Sequence, residues 1–157
     1  MPNNPGLGEQ ALNKAAEIGI TSQLDKVENL DVNVKTDPLK LIQGEVDSVK
    51  IDGEGLVMQK SLRVEELHMQ VDNVAINPLS VAFGKVELTR PTQGSAKIVL
   101  TEADINCAFN SDYIRSKLQS QTINLSGQPV AVSLKQVDFY LPGQNRVELK
   151  ADVKLDN

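Results

Sequence analysis

The chain has 157 residues, of which 40% are hydrophobic and 24% charged, a balance typical of one soluble globular domain. Its formal net charge of −5 and its singly scattered Lys and Arg residues argue against a nucleic-acid partner and against simple electrostatic docking on anionic lipid. The single cysteine, Cys107, excludes an internal disulfide. We expect one domain over residues 1–157, with residues 1–7 as a flexible start.

The apolar runs and the two ends of the sequence bear on membrane insertion and export, and a signal already removed is the alternative to its absence. No run of 18 apolar residues occurs, so no transmembrane helix is expected. The first six residues contain neither a basic nor an apolar region, and they therefore predict no signal peptide. The last residues have the pattern of a strand, which predicts that a longer native protein continues beyond it.

The first predicted element is an amphipathic helix whose apolar positions form one continuous stripe. Small residues in the middle of the stripe predict that the helix backbone lies close to a sheet. A helix on the protein core is favoured over a membrane-surface helix, because the polar face lacks the Lys/Arg richness of membrane helices. The stripe contains Leu12, Ala15, Ala16, Gly19, Ile20, Leu24 and Val27.

From residue 28 to residue 100 the apolar period changes to two, which predicts strands with one buried face. Residues that favour turns separate these strands at 37–38, 52–55, 77–78, 83–84 and 91–94. The alternating positions are Leu30, Val32, Val34, Val49, Ile51, Leu62, Val64, Leu67, Met69, Val71, Val74, Ile76, Val86, Leu88, Ala96, Ile98 and Leu100.

The alternation changes phase at 65–66, at 72–73 and again at 135–136, without any Gly or Pro. A shift of one residue would turn every later side chain to the wrong face, unless an extra, bulged residue restores it. These changes predict long, bulged and strongly coiled strands. Separate strands joined by polar turns are the alternative.

A second helix is predicted to begin after Thr101, which can cap it, with acidic residues in the first turn. Residues 110–112 can break and recap this helix, which would give two short helices. Two strands follow at 130–141 and 147–155, joined by a hairpin-like connection. Because helices and strands do not alternate regularly, we expect an α+β fold with a curved, mostly antiparallel sheet.

No arrangement of catalytic or metal-binding residues can be read from the sequence. His68 is the only histidine and is expected on the polar face of its strand. A catalytic pair with Cys107 is disfavoured, since a lone cysteine is usually a small buried hydrophobic residue. Glu65 and Glu66 should point to opposite faces of a strand. We therefore expect no catalytic residue, no metal and no cofactor, and a protein that is not an enzyme.

Several stretches of the chain resemble the LmeA-like phospholipid-binding family, formerly a domain of unknown function. The resemblance covers essentially the whole chain from about Gly8, and it rests on the order and spacing of these stretches. They are DGEGLVM at 52–58, LRVEEL at 62–67, RPTQ at 90–93, and LTEADIN at 100–106 followed by Ala108 and Phe109.

The resemblance implies a curved antiparallel sheet wrapped around helices, loosely similar to the tubular lipid-binding folds. It also implies that the partner is a phospholipid or a membrane surface, and that the protein is bacterial, with a membrane- or envelope-associated role. In some members it implies support of lipid-linked glycan assembly, and it supplies no catalytic residues. The chain departs from secreted members in lacking a signal peptide, and part of the family's C-terminal region is expected to be missing.

The leading hypothesis is therefore a non-enzymatic phospholipid-binding domain, either a lipid carrier or an accessory of envelope assembly. The alternative is a structural or protein-interaction module with a solid core and no lipid cavity. From the alternation and the helix stripes, the residues expected to line a lipid site are Leu67, Met69, Ile105, Phe109, Val132 and Leu134.

Overall fold

The fold is described from a computed structural model that covers residues 6–83, 85, 87–119 and 121–156. The expected flexible start falls largely on residues 1–5, which lie outside this range, whereas Leu7 already belongs to a helix. In chain order, the elements are α1 (Leu7–Thr21), β1 (Asn29–Lys35), α2 (Pro38–Ile42), β2 (Glu45–Met58), β3 (Leu62–Ala75), α3 (Pro78–Ala82), β4 (Gln93–Val99), α4 (Glu102–Phe109), α5 (Asp112–Leu118), β5 (Gln121–Leu125), β6 (Gln128–Gly143) and β7 (Arg146–Asp156).

The strands form two antiparallel sheets that are not closed into a barrel. Sheet 1 has the order β1-β2-β3-β4 and sheet 2 the order β5-β6-β7. The predicted α+β class and antiparallel pairing are confirmed, but the single sheet that we expected is divided in two. The division follows the chain, because α4 and α5 separate β4 from the last strands, which then pair by hairpins.

The described residues also fall into two compact units. The first unit contains the residues up to Leu56 together with Glu65–Val99, and the second contains Val57–Val64 together with the residues from Leu100 onward. The expectation of a single domain over 1–157 stays a prediction.

The core of the first unit lies between α1 and sheet 1. Val32 and Val34 of β1, only 1% and 7% exposed, form its centre with Val46 and Val74. Their burial confirms the predicted alternation of β1. Leu12, Ala16 and Ile20 of α1 pack against this cluster, as the predicted stripe requires.

The helix differs from the prediction at its end and in its small residues. It ends at Thr21, where the Ser22 hydroxyl donates a 2.7 Å hydrogen bond to the Gly19 carbonyl, so the stripe residues beyond it lie outside the helix. Ala15 and Gly19 are exposed, and a Cβ added at Gly19 would meet nothing within 4 Å. Of the three small residues in the stripe, only Ala16 packs against the core cluster, so Ala15 and Gly19 do not mark a close approach to the sheet.

The polar face of α1 also contributes one contact to sheet 1. The Asn13 Oδ1 accepts a 2.7 Å hydrogen bond from the Val34 amide. Because β1 is the edge strand of sheet 1, this contact covers part of an edge that would otherwise expose an unpaired backbone donor.

The turn predicted at 52–55 is wrong, because β2 runs through these residues as part of a 14-residue strand. Gly55 adopts a φ of +57° and accommodates the side chain of Glu28, which would collide with any Cβ there. The Glu28 amide also donates to the Glu54 carbonyl at 3.3 Å. The glycines therefore mark an irregularity within a strand rather than its end.

The predicted turns at 37–38 and 77–78 instead begin the two short helices α2 and α3. The Asp37 carboxylate accepts from the Leu39 amide at 2.8 Å, and the Asn77 side chain accepts from the Leu79 amide at 3.1 Å. Proline follows each capping residue, at the helix position where its missing N–H costs nothing.

The strand expected around Val86 and Leu88 is reduced in the described residues to one isolated antiparallel bridge, between Ile76 and Leu88. Val86 itself lies outside the described residues.

The phase changes in the sequence correspond to continuous, irregular strands. β3 runs without a break through 65–66 and 72–73, and Asn73 takes a φ of +53°. In β6 the register with β7 shifts between Leu134 and Gln136, which leaves Lys135 as an extra residue. The bulge predicted there is confirmed, and the alternative of separate strands is wrong for β3 and β6.

The second half of the chain follows the predicted capping and turn signals. Thr101 forms a capping box with Asp104, and Ser111 recaps the chain as α5 after α4 has ended at Phe109. The hairpin between β6 and β7 turns at Gln144 and Asn145, both at a φ of +55°. β5, in contrast, was not predicted.

Candidate functional site

Strand pairing places the apolar side chains of sheet 2 on one face. Directly opposite residues of an antiparallel pair point to the same side of a sheet. The pairs between β6 and β7 are Val132–Leu155, Leu134–Val153, Val137–Ala151 and Phe139–Leu149, and Ile123 of β5 pairs with Val130 of β6. We call these ten side chains the apolar face.

The bulge at Lys135 keeps this face continuous. β7 alternates regularly from Leu149 to Leu155, and its partners on β6 lie on both sides of the bulge. If the same residues formed a regular strand with no bulge, Val137 and Phe139 would point to the side opposite Leu134. The bulge therefore joins two apolar segments of β6 into one surface.

The opposite side of sheet 2 is polar. Its cross-strand pairs include Asp138 with Lys150 and Gln136 with Asp152. Further residues on this side are Thr122, Asn124, Ser133, Glu148 and Lys154. The two glutamines at the start of sheet 2, Gln121 and Gln128, lie on the apolar side. Elsewhere one side of the sheet is mainly apolar and suited to hydrocarbon, and the other is mainly polar and suited to water.

Five of the ten side chains of the apolar face are exposed, and four more are half-buried. Val137 is 3% exposed, but Leu149 is 59%, Val153 50% and Leu155 46% exposed. Contiguous exposed apolar surface on this scale is uncommon on a soluble monomer and marks a binding surface.

The helix next to this sheet is attached to β6 through its polar side chains. The side-chain Nδ2 of Asn106 donates to the backbone carbonyl of Phe139 at 2.8 Å, and its Oδ1 accepts from the backbone N–H of Phe139 at 2.7 Å. One helical turn later, Asn110 makes the same two bonds to Val137, at 2.7 and 3.1 Å. Each asparagine therefore replaces the two backbone bonds that a neighbouring strand would make.

The series of side-chain contacts continues in both directions along β6. Glu102 accepts from the Leu141 amide at 2.7 Å, and Arg115 of α5 donates to the Lys135 carbonyl at 2.8 Å. β5 pairs only with the first part of β6, so these side chains complete the hydrogen bonding of its remaining length. α4 thus flanks the edge of sheet 2 and leaves most of the apolar face open.

Of the predicted lining residues, the structure brings those of the second unit to the apolar face. The Phe109 ring stacks on Phe139 with centroids 6.4 Å apart. Ile105, one turn earlier on α4, is half-buried. Val132 and Leu134 are half-buried members of the apolar face itself.

The other two predicted residues belong to the first unit. Leu67 and Met69 are half-buried on one side of β3, where they pair with Ile98 and Ala96 of β4. Lipid contact by any of the six predicted residues stays a prediction.

Sequence reasoning missed the parts of the face contributed by β5 and β7. The alternation of Ile123 and Leu125, followed by Ser126 and a glycine, was the available signal for β5. Pairing register, which places Leu149 and Val153 beside β6, depends on residues distant in sequence and has no comparable local signal.

A partly buried ion pair supports the start of α4. Arg63 lies 3.1 Å from the Asp104 carboxylate, which also accepts from the Thr101 amide at 3.3 Å. Burial raises the pKa of Asp104, but the hydrogen bonds with Thr101 and the charge of Arg63 outweigh it and hold the pKa below its usual value. The carboxylate therefore stays ionised and fixes the first turn.

The residues considered for catalysis form no comparable site. His68 is exposed as predicted, 2.7 Å from the Asp52 carboxylate and 3.7 Å from that of Glu66. Hydrogen bonds from His68 and then Lys50 lower the pKa of Asp52. Cys107 is exposed, so its expected burial is wrong. Within the described residues, no three His, Cys, Asp or Glu side chains form a group that could hold a metal ion.

A groove between α1 and the start of β1 has a volume of about 570 Å³. Its walls include Ile18 and Leu30 but also the charged residues Lys14, Glu17 and Glu28. This charged lining makes it less suited than the apolar face to an apolar ligand.

Comparison with known families identifies the chain. A sequence model of the LmeA-like phospholipid-binding family matches residues 5–157, essentially the whole chain. The chain belongs to this family. Searches of curated proteins and of solved structures gave no significant match.

Membership of the LmeA-like family supports phospholipid as the partner of this protein. An open aliphatic surface bounded by a polar side is chemically suited to acyl chains. Among the described residues of this LmeA-like chain, no helix has both the length and the apolar character needed to cross a bilayer.

Proposed function

We propose that this LmeA-like chain is a non-enzymatic phospholipid-binding domain that holds acyl chains against the apolar face of sheet 2. The observation that carries the proposal is the exposure of Leu149, Val153 and Leu155 on a mainly aliphatic face. Because none of the ten side chains of this face is titratable or nucleophilic, it can hold a lipid but offers no group for covalent chemistry on it.

The dimensions of the face agree with this ligand. From Val130 to Leu141, β6 extends about 36 Å at roughly 3.3 Å per residue. Each leaflet contributes about half of the ~30 Å hydrocarbon core of a bilayer. The whole length of an acyl chain can therefore lie along β6.

Within this proposal, α4 forms one wall of the lipid site and β6 its floor. Ile105 and Phe109 would contact the lipid from the helix, and Val132 and Leu134 from the strand. Leu67 and Met69 would make separate contacts on sheet 1, where the neighbouring Ile98 is 53% exposed. We propose a role as a lipid carrier or as an accessory of envelope assembly, both of which require reversible binding without turnover of the lipid.

Native mass spectrometry of the purified protein, followed by extraction and identification of bound lipid, tests this proposal. We expect a phospholipid at near-stoichiometric amount. Replacing Leu149 and Val153 together with Asp should lower the affinity for a short-chain phosphatidylcholine at least about tenfold, because each charge would have to be buried under the acyl chain.

The matched control is Thr122→Asp, which adds a negative charge to the polar side of the same sheet. It should leave lipid binding unchanged. A folded Leu149→Asp/Val153→Asp variant that binds lipid like the wild type would show that the apolar face is not the site.

The second candidate function is a structural or protein-interaction module. The same exposure of the apolar face favours it, since a protein surface can cover an apolar sheet as well as a lipid can. A clean apo mass, with no uptake of phospholipid from added vesicles, would support this function over lipid binding.

A further inference from the structure

A second apolar surface lies in the first unit, on the helices α2 and α3. Leu39 and Ile42 of α2 are 72% and 76% exposed, and Leu79 and Phe83 on and just after α3 are 74% and 82% exposed. Their spacings of three and four residues place each pair on one side of its turn. We call these four side chains the apolar tip.

Both parts of the apolar tip lie at the same end of sheet 1. α2 connects β1 to β2, and α3 follows β3, so antiparallel pairing brings both connections to one end. The Ile76 amide donates to the Gly44 carbonyl at 2.8 Å. A Cβ at Gly44 would lie 2.9 Å from the Pro78 Cγ, so the end of α2 and the start of α3 are in close contact.

Two ion pairs lie near the tip. Lys40 lies 2.6 Å from the Asp47 carboxylate, and Arg90 lies 3.8 Å from that of Glu45. Within each pair the positive and negative charges cancel, so neither pair adds the net positive charge that would attract an acidic partner or an anionic surface. The attraction of the tip for another surface is therefore hydrophobic.

We propose that the apolar tip docks on a phospholipid bilayer and inserts its four side chains among the acyl chains. This rests on the proposed function, since a protein that binds phospholipid without synthesising it must collect or deliver that lipid at a bilayer. Side chains that are 72–82% exposed project from the surface instead of lining a groove. A bilayer accepts such projections without a complementary shape.

The size of the tip favours a bilayer over a second copy of the chain. Burying a Leu, Ile or Phe side chain removes about 60–120 Å² of apolar surface from water, so the four side chains offer roughly 240–480 Å² in total. A stable protein interface of standard size buries about 800 Å² on each partner, with well-fitted packing. The tip is too small for that, but large enough to anchor a domain reversibly in lipid.

The test is flotation with vesicles of pure phosphatidylcholine, using Phe83→Asp and Leu79→Asp as single variants. Each should weaken vesicle binding about tenfold or more, because a charge replaces an inserted apolar side chain. The matched control is Ile18→Asp, at a position on α1 that is 62% exposed and outside the tip. It should bind vesicles like the wild type.

A second measurement separates docking from lipid binding. Binding of a short-chain phosphatidylcholine below its micelle concentration needs no bilayer, and it should be unchanged in Phe83→Asp. The Leu149→Asp/Val153→Asp variant should behave in the opposite way and keep its vesicle binding. If the wild type docked through the tip but bound no short-chain lipid, the proposed function would fail while the docking surface stood.

Three results would overturn the docking proposal. The first is vesicle binding by Phe83→Asp and Leu79→Asp equal to that of the wild type. The second is vesicle binding that occurs only when phosphatidylglycerol is added, since the tip lacks a basic cluster. The third is a wild-type dimer in analytical ultracentrifugation that Phe83→Asp converts to a monomer, which would assign the tip to a second copy of the chain.

Discussion

Sheets 1 and 2 are built from the same kind of alternating strands, yet their apolar sides have different surroundings. In sheet 1, α1 packs on β1, and Val32 is 1% exposed. In sheet 2, Val153 occupies an equivalent apolar position on its strand and is 50% exposed. Alternation in a sequence therefore predicts which side of a strand is apolar, but not whether the protein itself covers that side.

The difference arises from how each helix uses its two faces. α1 directs the apolar residues Leu12 and Ile20 onto its sheet. α4 instead uses the polar residues Asn106 and Asn110 to bind the edge of β6. A helix attached through its polar side chains leaves the apolar side of the sheet for another occupant.

The largest expected effect comes from placing the same charge on the two sheets. Val32→Asp should destabilise the protein by at least about 4 kcal/mol, because the carboxylate is buried without a partner. Val153→Asp should cost less than about 1 kcal/mol, since half of the side chain already contacts water. Urea unfolding followed by circular dichroism measures both.

Equal losses of stability in these two variants would contradict the comparison. They would mean that the apolar face of sheet 2 is part of a folded core and not an open surface.

A smaller effect is expected from the attachment of α4. Asn110→Ala removes both hydrogen bonds to Val137 and leaves its backbone groups unpaired, which should cost about 2–3 kcal/mol in the free energy of unfolding. Asn124→Ala, on the exposed strand β5, serves as control and should stay within about 0.5 kcal/mol of the wild type. If the two variants were equally stable, the hydrogen bonds of Asn110 would contribute nothing measurable to the attachment of α4.

The smallest effect depends on pH. Asp104→Asn should destabilise the protein by about 1–2 kcal/mol at neutral pH, because it weakens the capping box and the ion pair with Arg63. The folded-state pKa of Asp104 lies below its unfolded value, so its contribution is present above about pH 4 and is lost as the pH falls through the folded pKa. The difference between variant and wild type should therefore shrink in acid. Urea titrations at neutral pH and near pH 3 test the sign, and a constant difference would argue against an ionised Asp104.

Features with a local signal could be predicted from the sequence. The caps at Thr101 and Ser111 and the bulge at Lys135 each follow from a few neighbouring residues. The burial of Val32 likewise follows from its place in an alternating run. Val132 and Leu134 belong to the apolar face for the same reason, since the strand period assigns them a side, and Phe109 stacks on Phe139 of that face.

Features that depend on distant contacts could not be predicted. Gly53 and Gly55 looked like a turn, but β2 continues through them because Glu28 fills the space beside Gly55. The division into two sheets depends on strand pairing, and the openness of the apolar face depends on how α4 binds β6. The apolar tip was hidden for a related reason, because Asp37 and Asn77 resemble turn residues as much as helix caps.

The bulge in β6 has a consequence for how this sequence can change over evolution. Lys135 is the extra residue of the bulge, and its carbonyl accepts a hydrogen bond from Arg115. Its side chain is exposed. Almost any amino acid can therefore occupy position 135. Deleting this residue would remove the bulge but keep Val137 and Phe139 on the apolar face, because Val137 would then lie two positions after Leu134 in a regular strand. We expect homologous sequences to vary freely at this position, and those that delete it to lose the arginine that binds its carbonyl as well.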